Sequence, residues 1–277
     1  MSEVVNPENA KVLVVVDPSQ DTHPALERMF AVYANYTEEQ LRSEATEVVI
    51  LILANQESMD SSYTSSFIAR DYQWFIDMFG EASGTDYATV LTAWGGDWAQ
   101  TIVDVCDEYD ITFTMVPFYG EVRNHILSDE RWKLLRKSKQ PVMLVSQSTD
   151  QSADAQRKVL AAIKAQDPEY DGLNRDVLEQ AQLICGFLGS ELHVVNAYAD
   201  SMDYPDRGRI AAMAGIDNDQ VHVKVGAPDE VICDVAKDTG AAVVMIASQR
   251  RTGLRSRFRG NTVEKIVGRL EADILMI

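Results

Sequence analysis

The stretch Val12-Leu13-Val14-Val15-Val16-Asp17 decides the fold, because it occurs twice. It returns 147 positions later as Val159-Leu160-Ala161-Ala162-Ile163-Lys164, apolar at the same places until its last residue. A short apolar run rich in β-branched residues predicts a buried strand. The repetition therefore predicts two similar domains, whose first strands end in Asp17 and in Lys164.

The repetition continues through the rest of each copy. Residues 91–116 return 130 positions later as 221–246, and residues 134–145 return as 266–277. The fall in offset from 147 to 130 gives the first copy 17 additional residues, which we assign to a second helix from Ser61 to Ala82. Aromatic residues recur there at helical spacing, and we expect them to pack against the sheet or the other domain. An aromatic-lined cleft for an apolar ligand is the alternative.

Short β-branched runs alternate with amphipathic stretches of helical length in both copies, which predicts an α/β fold with parallel sheets and crossover helices. The predicted strands are 11–17, 47–54, 88–95, 111–117, 141–146, 157–164, 190–198, 220–226, 241–247 and 272–277. Residues 147–156 are polar and lack an apolar period, so they are predicted to form a linker. The expected domains are residues 1–148 and 157–277.

Two helix starts are marked by their residues. Pro228, followed by Asp229 and Glu230, suits the first turn of a helix, where carboxylates meet the positive end of the dipole. The segment from Asn261 to Glu264 has the spacing of a capping box, which predicts that the last helix starts with Asn261 as its cap.

Composition narrows the classes of function. The net charge of −18 argues against broad binding to nucleic acid or to anionic membranes. No apolar stretch is long enough for a membrane helix, and residues 1–6 lack the features of a signal peptide, so we expect a cytoplasmic protein. Cys106, Cys185 and Cys233 lack metal-ligand spacing and are expected to be buried, reduced thiols. No catalytic or metal-binding set of residues is visible.

The residues that could hold a ligand follow strand ends. In an open parallel sheet a ligand lies beyond the carboxyl ends of strands where the strand order reverses, here between the first and fourth strands. Asp17 ends the first strand of copy one. In copy two the fourth strand leads into residues 248–260, which contain five arginines within ten positions and no acid. The helix start at Asn261 adds free amides that favour an anion.

With these residues the chain resembles the universal stress proteins, and specifically their tandem-domain, E-type members. The resemblance rests on residues 14–18, 192–195, 225–226, 251–253 and 260–264, on their order and spacing, and on the duplication of the chain. It implies two similar five-stranded parallel sheets, of strand order 3-2-1-4-5 and with helices on both faces, that pack as an intramolecular pseudo-dimer. It also implies that the last strand of each copy lies at a sheet edge, where the partner domain would cover it.

Nucleotide-binding members of that family use an aspartate after the first strand, a valine backbone after the second, and the glycine loop Gly-x2-Gly-x9-Gly-Ser/Thr. The resemblance places the family's aspartate at Asp17 in copy one, where copy two has Lys164 instead. It places the family's valine at Val194 in copy two. The loop falls on Ala247, Arg250, Gly260 and Asn261, so one of its three glycines remains. A Cβ at the lost glycines hinders approach of backbone amides to phosphate oxygens. In copy one Pro117 removes an amide and no such spacing follows.

These observations favour a non-enzymatic stress protein that binds a ligand or an unidentified protein partner. The alternative is a protein that binds ATP, or hydrolyses it slowly. A further hypothesis is that the arginines clamp a phosphate-bearing ligand or RNA, against the simpler expectation that they pair with surface carboxylates. No cofactor is expected beyond weak binding of ATP or another phosphate-bearing ligand. The candidate ligand-binding residues are Asp17, Val194, Arg250, Arg251, Gly253, Gly260, Asn261 and Thr262.

Overall fold

The computed structural model describes residues 11–33, 47–55, 88–119, 127–147, 157–247 and 260–277. Ten strands lie in these ranges, and their ends agree with the sequence prediction to within two residues. They are β1 (Lys11–Val16), β2 (Glu47–Asn55), β3 (Ala88–Gly95), β4 (Phe113–Phe118), β5 (Val142–Ser146), β6 (Lys158–Ile163), β7 (Glu191–Tyr198), β8 (Val221–Val225), β9 (Ala241–Ile246) and β10 (Asp273–Met276).

The described helices cross between these strands. They are α1 (Pro24–Tyr33), α2 (Trp98–Glu108), α3 (Asp129–Lys137), α4 (Asp171–Leu188), α5 (Arg207–Ala214), α6 (Pro228–Thr239) and α7 (Gly260–Arg269). The predicted helix start at Pro228 is confirmed. The predicted cap at Asn261 is wrong, because Gly260 is already helical and a cap residue must lie outside the helical conformation. Asn261 therefore belongs to the first turn of α7.

All ten strands form one sheet in the order β3-β2-β1-β4-β5-β10-β9-β6-β7-β8. Within each half the neighbouring strands are parallel, and each half has the predicted order 3-2-1-4-5. The halves meet where β10 pairs antiparallel with β5, which sets Leu144 opposite Ile274 and Met143 opposite Leu275. The predicted pairing of the last strands is thus confirmed, and it leaves neither of these apolar strands as an edge.

Side chains alternate between the two faces of the sheet, so the chain has two core layers and each extends across both domains. One layer packs under α1, α4 and α5 and includes Met29, Val177 and Ile210. The other packs under α2, α3, α6 and α7 and includes Ile102 and Ile266. Helices therefore cover both faces, as predicted, and the continuous sheet joins the two domains through their cores.

Two sequence predictions fall outside the described residues. The aromatic helix from Ser61 to Ala82 is one of them, and the choice between core packing and an apolar cleft there stays open. The linker is the other, since residues 148–156 lie between the described ranges. The domain bounds at 148 and 157 therefore stay a prediction, although β5 ends at Ser146 and β6 begins at Lys158.

Candidate functional site

The strand order reverses at β1 in the first domain and at β6 in the second. β1 lies between β2 and β4, and β6 lies between β7 and β9. The helices that follow β1 and β4 pack on opposite faces of the sheet, as do those that follow β6 and β9, which places a crevice at the carboxyl edge where ligands of open α/β sheets bind. Each domain therefore offers one candidate site, and the two sites differ in the residues that surround them.

Asp17 lies in the crevice of the first domain, where the sequence placed it, but its carboxylate is turned towards its own loop. Its Oδ1 accepts hydrogen bonds from the Ser19 backbone N–H at 2.9 Å and from the Ser19 hydroxyl at 2.6 Å. This is the usual way in which an aspartate stabilises a turn. Asp17 is half-buried, and Ser19 is buried beneath it.

Tyr119 and Gln147 close the same crevice, and sequence reasoning did not identify either. The Tyr119 hydroxyl donates to the Thr22 carbonyl oxygen at 3.0 Å, and Gln147 Nε2 donates to Thr22 Oγ1 at 2.9 Å. Tyr119 directly follows β4 and Gln147 directly follows β5, so these bonds tie three strand-end loops together. A polar aromatic residue placed just after a buried strand was the signal for this contact.

The electrostatic surroundings of Tyr119 keep its hydroxyl a hydrogen-bond donor. Burial raises the pKa of Tyr119, and the negative charge of Asp17 raises it further. Close by, Arg131 Nη1 donates to the Pro117 carbonyl oxygen at 3.1 Å, and its guanidinium lies over Trp98 and Phe118. Side chains of the domain itself thus form a connected polar layer over the crevice between β1 and β4.

In the second domain the loop after β6 is held by two buried amides. Asn174 of α4 accepts from the Lys164 N–H at 3.0 Å and donates to the Lys164 carbonyl oxygen at 2.9 Å. Asn196 of β7 accepts from the Ala165 N–H at 2.7 Å. The two asparagines are 3% and 0% exposed, so water cannot replace these partners. The main chain at this crevice is therefore fixed within the domain.

The charged group of Lys164 contacts residues of its own loop. Its Nζ lies 2.9 Å from Asp167 Oδ2 and 4.2 Å from the centre of the Tyr170 ring. The hydrogen bond from Lys164 lowers the pKa of the Asp167 carboxyl. Next to it, Gln166 Nε2 donates to the Ala197 carbonyl oxygen at the end of β7, at 2.7 Å. These contacts hold the loop after β6 against its own residues and the end of β7.

Val194 does not lie at this edge. It is 0% exposed and lies inside β7, paired with Ala161 of β6 and Val221 of β8. The backbone that does reach the carboxyl end of β7 belongs to Ala197 and Tyr198. The expectation of a ligand contact at Val194 therefore has no support in its position, because its backbone groups belong to the central part of the strand.

The structure describes only part of the arginine segment and helix start that were predicted to bind an anion in the second crevice. Arg250, Arg251 and Gly253 lie outside the described residues. Gly260, Asn261 and Thr262 form the first turn of α7, where Thr262 is exposed. The N-terminus of α7 therefore follows β9 and the arginine segment as predicted, and the binding role of these six residues stays a prediction.

The described residues contain no group of three or more His, Cys, Asp or Glu side chains that could hold a metal ion. Among the helices of these same ranges, none is long and apolar enough to span a bilayer.

Burial raises the pKa of the Cys106 thiol to about 11 and that of Cys185 to about 12. Cys233 is half-buried, so the prediction of three buried thiols is correct for two.

Comparison with known proteins identifies related chains. Residues 194–277 match the Universal stress protein family. Universal stress protein E of Salmonella typhi is 26% identical over 96% of this chain and 93% of its own length. The homolog from Haemophilus influenzae is 25% identical over 96% of both chains. A putative universal stress protein from Pseudomonas aeruginosa UCBPP-PA14 superimposes with a TM-score of 0.73 at 24% identity, over 96% of this chain and 92% of its own. One from Archaeoglobus fulgidus superimposes with a TM-score of 0.66 at 16% identity, over 96% and 95%.

Proposed function

Since this chain is a tandem member of the universal stress protein family, similar to its E-type proteins, we propose that it acts in the stress response by binding a ligand or a protein partner without catalysing a reaction. The observation that carries this proposal is that the charged side chain at the end of each first strand is bonded within its own loop. Asp17 bonds to Ser19, and Lys164 bonds to Asp167. A nucleotide bound at these strand ends would meet side chains that already have hydrogen-bond partners within the chain.

The free energy needed to break these hydrogen bonds disfavours binding of a nucleotide. A ligand that enters the first crevice must displace the Tyr119 hydroxyl from Thr22 and turn Asp17 away from Ser19. Breaking each neutral hydrogen bond costs about 1 kcal/mol, and one to a charged group about 1.5–3 kcal/mol. In the second crevice Lys164 replaces the carboxylate that the family's nucleotide-binding members carry on the base side of the site. These contacts support a ligand other than a nucleotide.

ATP binding is the second candidate, because Asp17 keeps a half-buried carboxylate at the strand end where the family's nucleotide-binding members carry theirs. Binding there would use an opened conformation of the loop. It would couple nucleotide affinity to the Tyr119–Thr22 bond, and Tyr119→Phe should then strengthen binding of ATP. Under the leading proposal this substitution has no effect, since the site does not bind ATP.

Two measurements test the proposal. Native mass spectrometry of the full chain, purified without added nucleotide, should show either the apo mass or a non-nucleotide ligand. Isothermal titration should give no micromolar affinity for ATP with the wild type, with Tyr119→Phe, or with Lys164→Asp, which restores the carboxylate of copy one. A co-purified adenine nucleotide, or micromolar affinity that Asp17→Asn removes, would establish the second candidate instead.

A further inference from the structure

Three charged side chains from both domains converge beside the strand pair that joins the domains. Arg28 lies on α1 of the first domain, Asp273 begins β10, and Arg157 directly precedes β6. Val159 and Leu275 belong to the core layer that packs under α1. Because side chains of a strand alternate, Arg157 and Asp273 point to that same face. The face that α1 covers thus carries two guanidinium groups and a carboxylate.

Asp273 links the two domains. Its Oδ1 accepts the Ser146 N–H of β5 at 3.0 Å, and its Oδ2 lies 2.9 Å from Arg28 Nε. The side chains of Arg28 and Asp273 are 5% and 1% exposed, so this ion pair is buried. Arg28 Nε does not meet the geometry of a hydrogen bond with this oxygen. The carboxylate therefore neutralises Arg28 without satisfying its Nε and Nη2 donors.

The positive charge of this cluster exceeds its negative charge. Arg28 Nη2 and Arg157 Nη2 are both buried, and neither has a hydrogen-bond partner in the part of the chain that the structure describes. Burial lowers the pKa of Arg157, the positive charge of Arg28 lowers it further, and the negative charge of Asp273 raises it. A buried donor without a partner costs about 1–3 kcal/mol, and more when it is charged. One carboxylate cannot compensate two guanidinium groups.

We propose that Arg28 and Arg157 bind a small inorganic oxyanion at the junction of β5 and β10. Planar guanidinium groups match the oxygens of phosphate or sulfate and form short, charge-assisted hydrogen bonds with them. The ion would supply acceptors for the two Nη2 groups and balance the charge that Asp273 leaves over. Because Arg28 is 5% exposed, the ligand is a free ion and not a group on a large molecule.

This site is separate from both crevices, so its test does not depend on the proposed function. The crevice of the first domain lies between β1 and β4, whereas the residues of the cluster lie on α1, at the start of β10 and just before β6. An ion bound here contacts residues of both domains and stabilises their junction. Its occupancy would add to the free energy of unfolding as the ion concentration rises above its dissociation constant.

The chain offers a matched control. Arg175 lies 147 positions after Arg28, at the equivalent place of the repeat in α4, and it is exposed. Arg175→Gln removes the same charge from the same fold position without touching the cluster. Arg157→Gln removes one of the two unpartnered donors and leaves the Arg28–Asp273 pair intact. It therefore tests the site even where Arg28→Gln prevents folding.

The experiment titrates the full chain with inorganic phosphate at constant ionic strength, balanced with sodium chloride. We expect a saturable rise in the thermal midpoint and a binding isotherm for the wild type and for Arg175→Gln. Arg157→Gln should bind phosphate on the order of tenfold more weakly, which corresponds to about 1.4 kcal/mol. Equal midpoint shifts in all three proteins, or a shift that never saturates, would overturn the proposal.

Discussion

At the scale of single residues, the two domains stabilise equivalent loops by different hydrogen bonds. After β1 the turn is stabilised by the Asp17 side chain, which accepts from Ser19. After β6 the corresponding turn is stabilised from outside, by Asn174 and Asn196. The replacement of aspartate by lysine at position 164 removed the internal acceptor. The buried asparagines supply the acceptors that the second loop then needs.

Asn174→Ala should therefore destabilise the protein more than an exposed change on the same helix. The substitution leaves the Lys164 N–H and carbonyl without their bonded partner, and each loss costs about 1–3 kcal/mol for a buried group. We expect a fall of about 2–4 kcal/mol in the free energy of unfolding, measured by urea denaturation. Glu179→Ala, exposed on α4, is the control and should change stability by no more than about 0.5 kcal/mol. Similar losses in both variants would contradict this account of the loop.

At the scale of elements, β7 and β8 carry a polar contact on the sheet. His193 Nδ1 lies 3.0 Å from His222 Nε2, and the two rings are nearly parallel. Glu191 Oε2 lies 3.6 Å from the other nitrogen of His193. Burial lowers the pKa of His222 below its usual 6.5, and the charges of His193, Lys224, Arg207 and Lys158 lower it further. β8 is the last strand of the described sheet, so this pair helps to hold an edge.

Because the pKa of His222 is lowered in the folded protein, mild acid should destabilise the second domain. With a lowered folded-state pKa, His222 contributes no penalty well above pH 6.5, where it is neutral in both states. As the pH falls through about 6.5 the unfolded chain takes up this proton first, so the free energy of unfolding decreases. Denaturant unfolding from pH 8 to pH 5 should show a smaller decrease in His222→Gln than in the wild type. An identical pH dependence would show that His222 plays no part.

At the scale of the whole molecule, a single strand pair joins the sheets of the two domains. The antiparallel pair β5–β10 covers the last strand of each domain, and the buried Arg28–Asp273 pair reinforces it. Val142, Leu144, Ile274 and Leu275 are each 2% exposed or less. Such apolar strands need cover, because an exposed edge pairs with other chains.

Residues 1–150 expressed alone should therefore self-associate through β5. The loss of β10 uncovers the backbone and the apolar side chains from Val142 to Val145. Light scattering after gel filtration should show a dimer or larger species, whereas the full chain carries its own cover for this strand. Leu144→Lys in the fragment should restore a monomer, because it places a charge in the centre of the new interface. A well-behaved monomer of the unchanged fragment would contradict this view.

The sequence by itself determined the repeat and the positions of the strands. These features follow from local apolar periodicity and from duplication, which are visible along the chain. The family resemblance supplied the strand order and, with it, the strand at which each domain would meet the other. Tertiary structure alone decided which polar side chains meet. Tyr119 and Thr22 are 97 residues apart, and Arg28 meets Asp273 across the domain boundary. Such contacts depend on where whole elements pack and on the direction of each side chain, and no local pattern encodes either.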